Sequence, residues 1–371
     1  MFSFIKRNIL RFNRIVRIRM GLGTALLAFV LFFAWMPEAV RPDDTPFFGY
    51  DVHTGLPVAL HDPASPNMRF LPDVGNNEPF SVVLNESVFL PPADLTPQTL
   101  TRMQVTPEYF AQLQDFTYVR TRLFLEDPST MLLPEDVDVY AFLNADLRID
   151  PTLPGPHVLI FHTHSTEWFA DTGREGPLED IMSGIVGVGH YLAQILSQEY
   201  GLEVLHYTGR FDIVDGFPQI RGAYERMEPV ITQLLADNPQ IQLVIDLHRD
   251  GVDEGGGPFT RYIDGVPTAR LMFFNGLSRR NVGGEPVPTA WLPNPFLRDN
   301  LQFSFQAQIA ANQLFPGFNR RVYLRAYRFS LHMHPLSIFV EVGNQYNTQQ
   351  EAKNAMHPLA RILAEVVLAE R

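Results

Sequence analysis

Strands and helices alternate along the carboxyl-terminal part of the chain, and this alternation limits the possible folds more than any other feature. From about Gly155 onward, short apolar runs typical of β-strands are mostly separated by longer segments with helical periodicity. The strand-like runs are HVLIFH, LEVLHY, IQLVIDLH, TARLMFFNG and LSIFVEVG, and a final helix is predicted from about Thr348 to Ala369. Strands that are apolar along their whole length are buried on both faces. The sequence therefore predicts an α/β fold, in which helices flank a mixed or mostly parallel sheet.

The first of these strands ends in two histidines, His162 and His164, and Glu167 follows the second by three residues. The strand IQLVIDLH ends in His248, and in such sheets sites collect at the carboxyl ends of the strands. Two imidazoles and one carboxylate are a common ligand set for catalytic Zn²⁺. The chain contains no cysteine, which excludes thiolate zinc sites, disulfides and cysteine nucleophiles. The sequence therefore predicts one Zn²⁺ on His164, Glu167 and His248, with His162 as the alternative to His164.

Three further residues near the strand ends are candidates for other roles in catalysis. Glu341 lies within IFVEVG, where a carboxylate among apolar neighbours costs free energy unless it is paired or functional. Beside a metal, such a carboxylate could take and return a proton. Arg249 could bind a substrate carboxylate or a developing oxyanion, or it could only form a salt bridge with Asp250 or Glu254. Asp246 lies two residues before a predicted zinc ligand, which it could orient, or it could only anchor a turn.

The amino terminus has the composition of a membrane anchor. Six basic residues and no acidic residue precede an uncharged apolar run at residues 20–36, which is at the short end of the length that spans a bilayer. The positive-inside rule would keep residues 1–19 in the cytoplasm and place everything after the anchor outside the cell membrane. A cleaved signal peptide is the alternative interpretation. We therefore expect a single-pass protein of the cell membrane with an extracytoplasmic catalytic domain.

The chain after the anchor divides into three regions. Residues 37–80 are rich in proline and lack a sustained period, which predicts an extended extracytoplasmic linker. Residues 81–150 are expected to form a small lead-in region packed on the next domain, and residues 151–371 the catalytic domain. The formal net charge of −12 argues against a broad nucleic-acid-binding surface.

Three segments together resemble the stage II sporulation protein P family. They are VLIFHTHSTEWF, VIDLHRDG and FVEVGNQYNTQQEAKNAMHPLARILAEVV, and they occur in the expected order. The resemblance covers about residues 115–371, and the single amino-terminal anchor also matches. It implies a zinc-dependent N-acetylmuramoyl-L-alanine amidase that cleaves the amide between N-acetylmuramic acid and the L-alanine of the peptidoglycan stem peptide. It also implies a role in sporulation and a glycan-cleaving wall enzyme as a partner.

One segment departs from the family pattern. Before the last strand the chain has RAYRFSLHMHP instead of an Arg-Tyr-Asn-Gln-like stretch, so that Phe329 and Ser330 replace Tyr and Asn, and His332 and His334 are added.

Two other functions stay open. One is a zinc carboxypeptidase or endopeptidase that acts on stem peptides, and the other is an inactive module that binds the cell wall or a protein partner. The intact set of candidate zinc and acid–base residues favours an enzyme.

Overall fold

The computed structural model describes residue 100, residues 104–369 and the backbone of three short strands nearer the amino terminus. Two of these strands, β1 (Phe48–Tyr50) and β2 (Pro57–Ala59), form an antiparallel hairpin within the unit formed by residues 1–68.

The predicted cytoplasmic segment 1–19 and the predicted anchor 20–36 lie outside the described residues, as does most of the predicted linker 37–80. Among the helices that the structure describes, none has both the length and the apolar character needed to cross a membrane.

The unit formed by residues 69–371 is built on an eight-stranded sheet. In spatial order its strands are β3 (Ser81–Val83), β6 (Val204–Tyr207), β5 (Val158–Phe161), β9 (Leu243–Asp250), β16 (Ser337–Asn344), β12 (Leu271–Gly276), β15 (Val322–Arg325) and β4 (Phe124–Glu126). Strands β6, β5, β9 and β16 are parallel to one another. Strands β12, β15 and β4 are also mutually parallel, but β12 is antiparallel to β16, and β3 is antiparallel to β6. The predicted mixed, mostly parallel sheet is confirmed.

Helices and short hairpins connect these strands. The helices are α1 (Pro107–Leu113), α2 (Phe116–Arg122), α3 (Val139–Asn144), α4 (Gly176–Glu179), α5 (Ile185–Tyr200), α6 (Ala223–Asp237), α7 (Leu297–Leu314), α8 (Gln349–Asn354) and α9 (Met356–Val367). The hairpins are β7 (Ile213–Val214) with β8 (Phe217–Pro218), β10 (Thr260–Ile263) with β11 (Val266–Ala269), and β13 (Arg279–Val282) with β14 (Glu285–Pro288).

The sheet separates two hydrophobic cores, because alternate residues of a strand point to opposite faces. Val158 and Ile160 of β5 lie in one core with residues of α5, α7 and α9. Leu159 and Phe161 lie in the second core with Met227 of α6. The apolar strands are thus buried on both sides, as their sequences predict.

The predicted lead-in region 81–150 shares the sheet and the core of the following residues. It supplies both edge strands, β3 and β4, which pair with β6 and β15. Its aromatic side chains Phe124 and Phe142 pack on Phe305 of α7, with ring centroids 6.5 and 5.7 Å away.

The carboxyl-terminal helix differs from its prediction. A single helix is expected from about Thr348 to Ala369, but the structure has two, α8 and α9, separated at Ala355. Pro358 lies in the first turn of α9 and has no N–H to donate to the carbonyl of Asn354, so a helical hydrogen bond is missing where α8 ends. The predicted capping box is present: Thr348 Oγ1 accepts a hydrogen bond from the amide of Glu351 at 3.1 Å, and Glu351 Oε2 accepts one from the amide of Thr348 at 2.9 Å.

Candidate metal centre

Three side chains that the sequence singles out converge at the ends of two neighbouring strands. His164 and Glu167 follow β5, and His248 lies near the end of β9. One possible ligand atom from each lies within 4.8 Å of the other two. Glu167 Oε1 is 3.6 Å from His164 Nδ1 and 3.4 Å from His248 Nδ1. Within the described residues, no other group of histidine and acidic side chains is arranged in this way.

The donor set of this group fits Zn²⁺. Two imidazole nitrogens and one carboxylate oxygen are ligands that zinc prefers, and they leave a further position for water or substrate. Glu167 and His248 are buried, whereas the side chain of His164 is 19% exposed, so the group can be reached from solvent on the side of His164.

Neighbouring groups fix the orientation of the two buried candidate ligands. The second oxygen of Glu167, Oε2, accepts a hydrogen bond from the amide of Arg249 at 2.6 Å. Asp246 Oδ1 lies 2.7 Å from His248 Nε2, in an electrostatic contact that lacks the alignment of a hydrogen bond. Thr163 holds that aspartate through its amide at 3.0 Å and its hydroxyl at 2.8 Å. The Nδ1 atom of His248 therefore faces Glu167, as an orienting role of Asp246 requires.

The charges of the group set its protonation. Burial alone would lower the pKa of His248, but Asp246 and Glu167 outweigh it and raise that pKa well above the usual range. Burial alone would raise the pKa of Glu167, but His248 and its neighbours bring it below the usual range. A metal ion must therefore displace a proton from His248, so metal affinity should fall as the pH falls.

Glu341 faces this group from the adjacent strand. It lies in register with His248 of β9 on one side and with Met272 of β12 on the other. Its Oε2 atom is buried and has no hydrogen-bond partner among the described residues. Burial, followed by the charge of Asp250, raises the pKa of the Glu341 carboxyl well above the usual range, although His248 and Arg249 oppose this.

Arg249 is buried beside the same group. Its Nη1 donates to the backbone carbonyl of Asp250 at 2.9 Å, and its guanidinium carbon lies 5.5 Å from the ring centroid of Trp168. Its Nε and Nη2 have no partner in the described part of the chain. Neither Asp250 nor Glu254 forms a carboxylate ion pair with Arg249, so the simple salt bridge that the sequence left open is not what the structure shows.

His162 lies apart from the candidate ligands. Both of its ring nitrogens have other partners, because Nδ1 is 2.7 Å from the carbonyl oxygen of Leu247 and Nε2 is 2.9 Å from His206 Nε2. The sequence predicts His164 as the ligand and leaves His162 as the alternative. The structure places His164 in the group, whereas His162 contacts Leu247 and His206.

Two residues of the site were not predicted from the sequence. The ring of Phe339 stacks on that of His248, with centroids 4.2 Å apart and planes 4° from parallel. Phe339 precedes Glu341 by two residues on the same strand face, so strand periodicity could have indicated it. The ring of Tyr224 lies edge-on to His164 at 5.5 Å, and no spacing in the sequence indicates that contact.

Solved structures of cell-wall amidases are remote structural neighbours. The CwlD amidase of Clostridioides difficile, solved in complex with the GerS lipoprotein, has 11% identity and a TM-score of 0.34 over 57% of this chain and 95% of its own. The amidase AmiC2 of Nostoc punctiforme has 13% identity and a TM-score of 0.32 over 57% of this chain and 98% of its own. Ami1 of Mycobacterium smegmatis has 12% identity and a TM-score of 0.33 over 61% of this chain and 100% of its own.

No curated protein matches the sequence. A family does: the sequence pattern of the stage II sporulation protein P (SpoIIP) family matches residues 142–364. This range is more than half of the chain and includes both strands that carry the candidate metal ligands as well as Glu341. The chain therefore belongs to the stage II sporulation protein P family.

Proposed function

We propose that the protein is a zinc-dependent peptidoglycan hydrolase that cleaves the amide between N-acetylmuramic acid and the L-alanine of the stem peptide. One observation carries the proposal: three zinc-type ligand atoms lie within 4.8 Å of one another, and the residue that supplies one of them, His248, is in register with Glu341, which has a buried oxygen without a partner among the described residues. Membership of the family supports it. Zinc would be held by His164, Glu167 and His248.

The reaction adds water across the amide. When bound, Zn²⁺ supplies a Lewis acid that polarises a carbonyl and lowers the pKa of water. Glu341 accepts a proton from the attacking water as the C–O bond forms, and returns it to the alanine nitrogen as the C–N bond breaks.

Arg249 is positioned to bind negative charge. Its Nε and Nη2 donors are buried without a partner among the described residues, and a buried unpaired donor costs free energy until a ligand satisfies it. A carboxylate of the stem peptide or the developing oxyanion would supply that partner. Asp246 would orient His248 from the opposite side of its ring.

The location of the substrate agrees with the expected topology. We propose that residues 20–36 anchor the chain in the cell membrane and that residues 37–80 tether the hydrolase domain on the side where peptidoglycan lies. A glycan-cleaving wall enzyme would complete degradation by cutting the strands that the amidase strips of peptides. Protease added to intact spheroplasts should digest the domain, and protection until lysis would contradict this topology.

The full chain, incubated with purified peptidoglycan, tests the reaction. An amidase releases peptides with a free amino-terminal L-alanine and leaves glycan strands with bare muramic acid, and mass analysis identifies both products. A carboxypeptidase or endopeptidase would instead leave shortened peptides on the glycan. Activity should disappear with a chelator and return with zinc. A folded, zinc-loaded protein that binds peptidoglycan without cleaving it would be a binding module.

A further inference from the structure

The segment that departs from the family pattern is fastened to helix α6. Arg328 Nη2 donates to both carboxylate oxygens of Glu228, at 2.7 and 2.8 Å. His332 Nε2 lies 3.1 Å from Glu228 Oε1. We call Glu228, Arg328 and His332 the clamp. The neighbouring side chains of His332 and Arg328 lower the pKa of Glu228, so the carboxylate is charged at neutral pH.

The clamp encloses a residue in an unfavourable backbone conformation. Phe329 has a φ of +52°, in the left-handed region that costs a bulky side chain free energy. Such a conformation persists only where its surroundings enforce it. The carbonyl oxygen of Phe329 lies 3.0 Å from His332 Nδ1. The other ring nitrogen of His332 is close to Glu228 Oε1 but lacks the alignment of a hydrogen bond, so the bidentate bond from Arg328 is the main link between Glu228 and this loop. The ring of Phe329 is thereby held against Phe274, with ring centroids 4.7 Å apart.

Phe329 in turn packs against the wall of the metal centre. Tyr224 lies one helical turn before Glu228 on α6, so both side chains project from one face of that helix. The ring of Tyr224 is nearly perpendicular to the rings of both Phe329 and His164, with centroids 5.5 Å away in both cases.

We propose that Glu228 is a positioning residue, which holds Phe329 through the clamp and so fixes Tyr224 beside His164, where the Tyr224 hydroxyl donates a hydrogen bond to a substrate oxygen. This inference rests on the proposed function. The side chain of Glu228 is 40% exposed, whereas the side chains of Arg328 and His332 are largely buried. The clamp restrains a loop in a strained conformation that reaches the candidate ligands through Tyr224, which fits a role in the site.

The clamp itself can be tested without any activity measurement. In the full chain, Glu228→Gln should release the loop, and trypsin should then cut after Arg328 about tenfold faster, because proteolysis follows local opening. In the wild type, the Arg328 side chain is only 16% exposed. Glu225→Gln is the matched control, since Glu225 is an exposed acid on the same helix. Equal cleavage in Glu228→Gln and the wild type would show that there is no clamp.

The positioning role is tested by binding and kinetics on the zinc-loaded full chain. Glu228→Gln and Tyr224→Phe should each raise KM for a soluble muramoyl peptide by about tenfold, with kcat changed far less and zinc content unchanged. Only Glu228→Gln should also become sensitive to trypsin. Calorimetry, which needs no turnover, should show that both variants bind the muramoyl peptide about tenfold more weakly than the wild type.

The outcomes separate this inference from the proposed function. Wild-type affinity and KM in both variants would overturn the positioning role, whatever trypsin shows. If the wild type binds the peptide but does not hydrolyse it, the proposed amidase fails, and the binding comparison still decides the role of Glu228 and Tyr224. If the wild type does not bind the muramoyl peptide at all, both proposals fall together.

Discussion

Acid should destabilise this protein through two buried histidines behind the metal centre. Burial lowers the pKa of His162 to about 4, from an ordinary value of 6.5, and burial together with His162 holds the pKa of His206 well below its ordinary value. Both rings therefore bind a proton more weakly in the folded state than in the unfolded state. Their contribution to stability is complete above the unfolded pKa and is lost as the pH falls towards the folded pKa.

The pKa of His162 gives the magnitude of this effect. With a pKa of 6.5 in the unfolded state and about 4 in the folded state, proton linkage predicts a loss of about 2 kcal/mol between about pH 7.5 and about pH 5 from His162 alone. His206 acts in the same direction. The raised pKa of His248 acts in the opposite direction, because a histidine charged in the folded state stabilises it at low pH.

A comparison of variants isolates the contribution of His162. In His162→Asn the side-chain amide can still donate to the carbonyl of Leu247, and His357→Asn is the control because the His357 side chain is 49% exposed. Urea unfolding, followed by circular dichroism with a chelator present, gives the free energy of unfolding at both pH values. The wild type and the control should lose about 2 kcal/mol more on acidification than His162→Asn. Identical pH dependence in all three proteins would refute the reasoning.

Three further predictions concern the metal centre. Glu341→Gln should lower kcat by roughly two to four orders of magnitude while zinc content and melting temperature stay near wild type, and a wild-type rate would remove Glu341 from the mechanism. The double variant His164→Ala/His248→Ala should contain almost no zinc by elemental analysis while its circular dichroism is retained, and full zinc occupancy would contradict the ligand assignment. Asp246→Asn should weaken zinc binding by about 10–100-fold in competition with a chelator, whereas unchanged affinity would restrict Asp246 to a structural role.

The candidate ligands could be predicted because their signal is local. His164 and Glu167 directly follow an apolar strand, His248 ends another, and Glu341 interrupts a third. In such sheets functional sites lie at the carboxyl ends of the strands. These residues could therefore be assigned to one site without knowledge of the strand order. The choice between His162 and His164 depended on a weaker signal, the spacing of three residues from His164 to Glu167, because residues two positions apart share a strand face and only the turn after β5 separates them.

Features that depend on tertiary contacts could not be predicted from the sequence. The run TARLMFFNG is equally apolar in either direction, so its composition does not show that β12 lies antiparallel to β16. Tyr224 and Glu228 look like ordinary positions of an amphipathic helix. Their significance comes from the contact of α6 with Arg328 and Phe329, which are distant in the chain and carry no shared motif.

The position of β16 within the sheet has a consequence for the order in which the site forms during synthesis. β16 lies between β9 and β12, although it is made after both of them. A nascent chain that ends before β16 already contains every proposed zinc ligand, but it lacks Glu341 and the strand that completes the sheet. Such late, long-range closure slows folding. For the proposed hydrolase of the cell wall, this order of synthesis means that no product that ends before β16 has the proposed proton-transfer group.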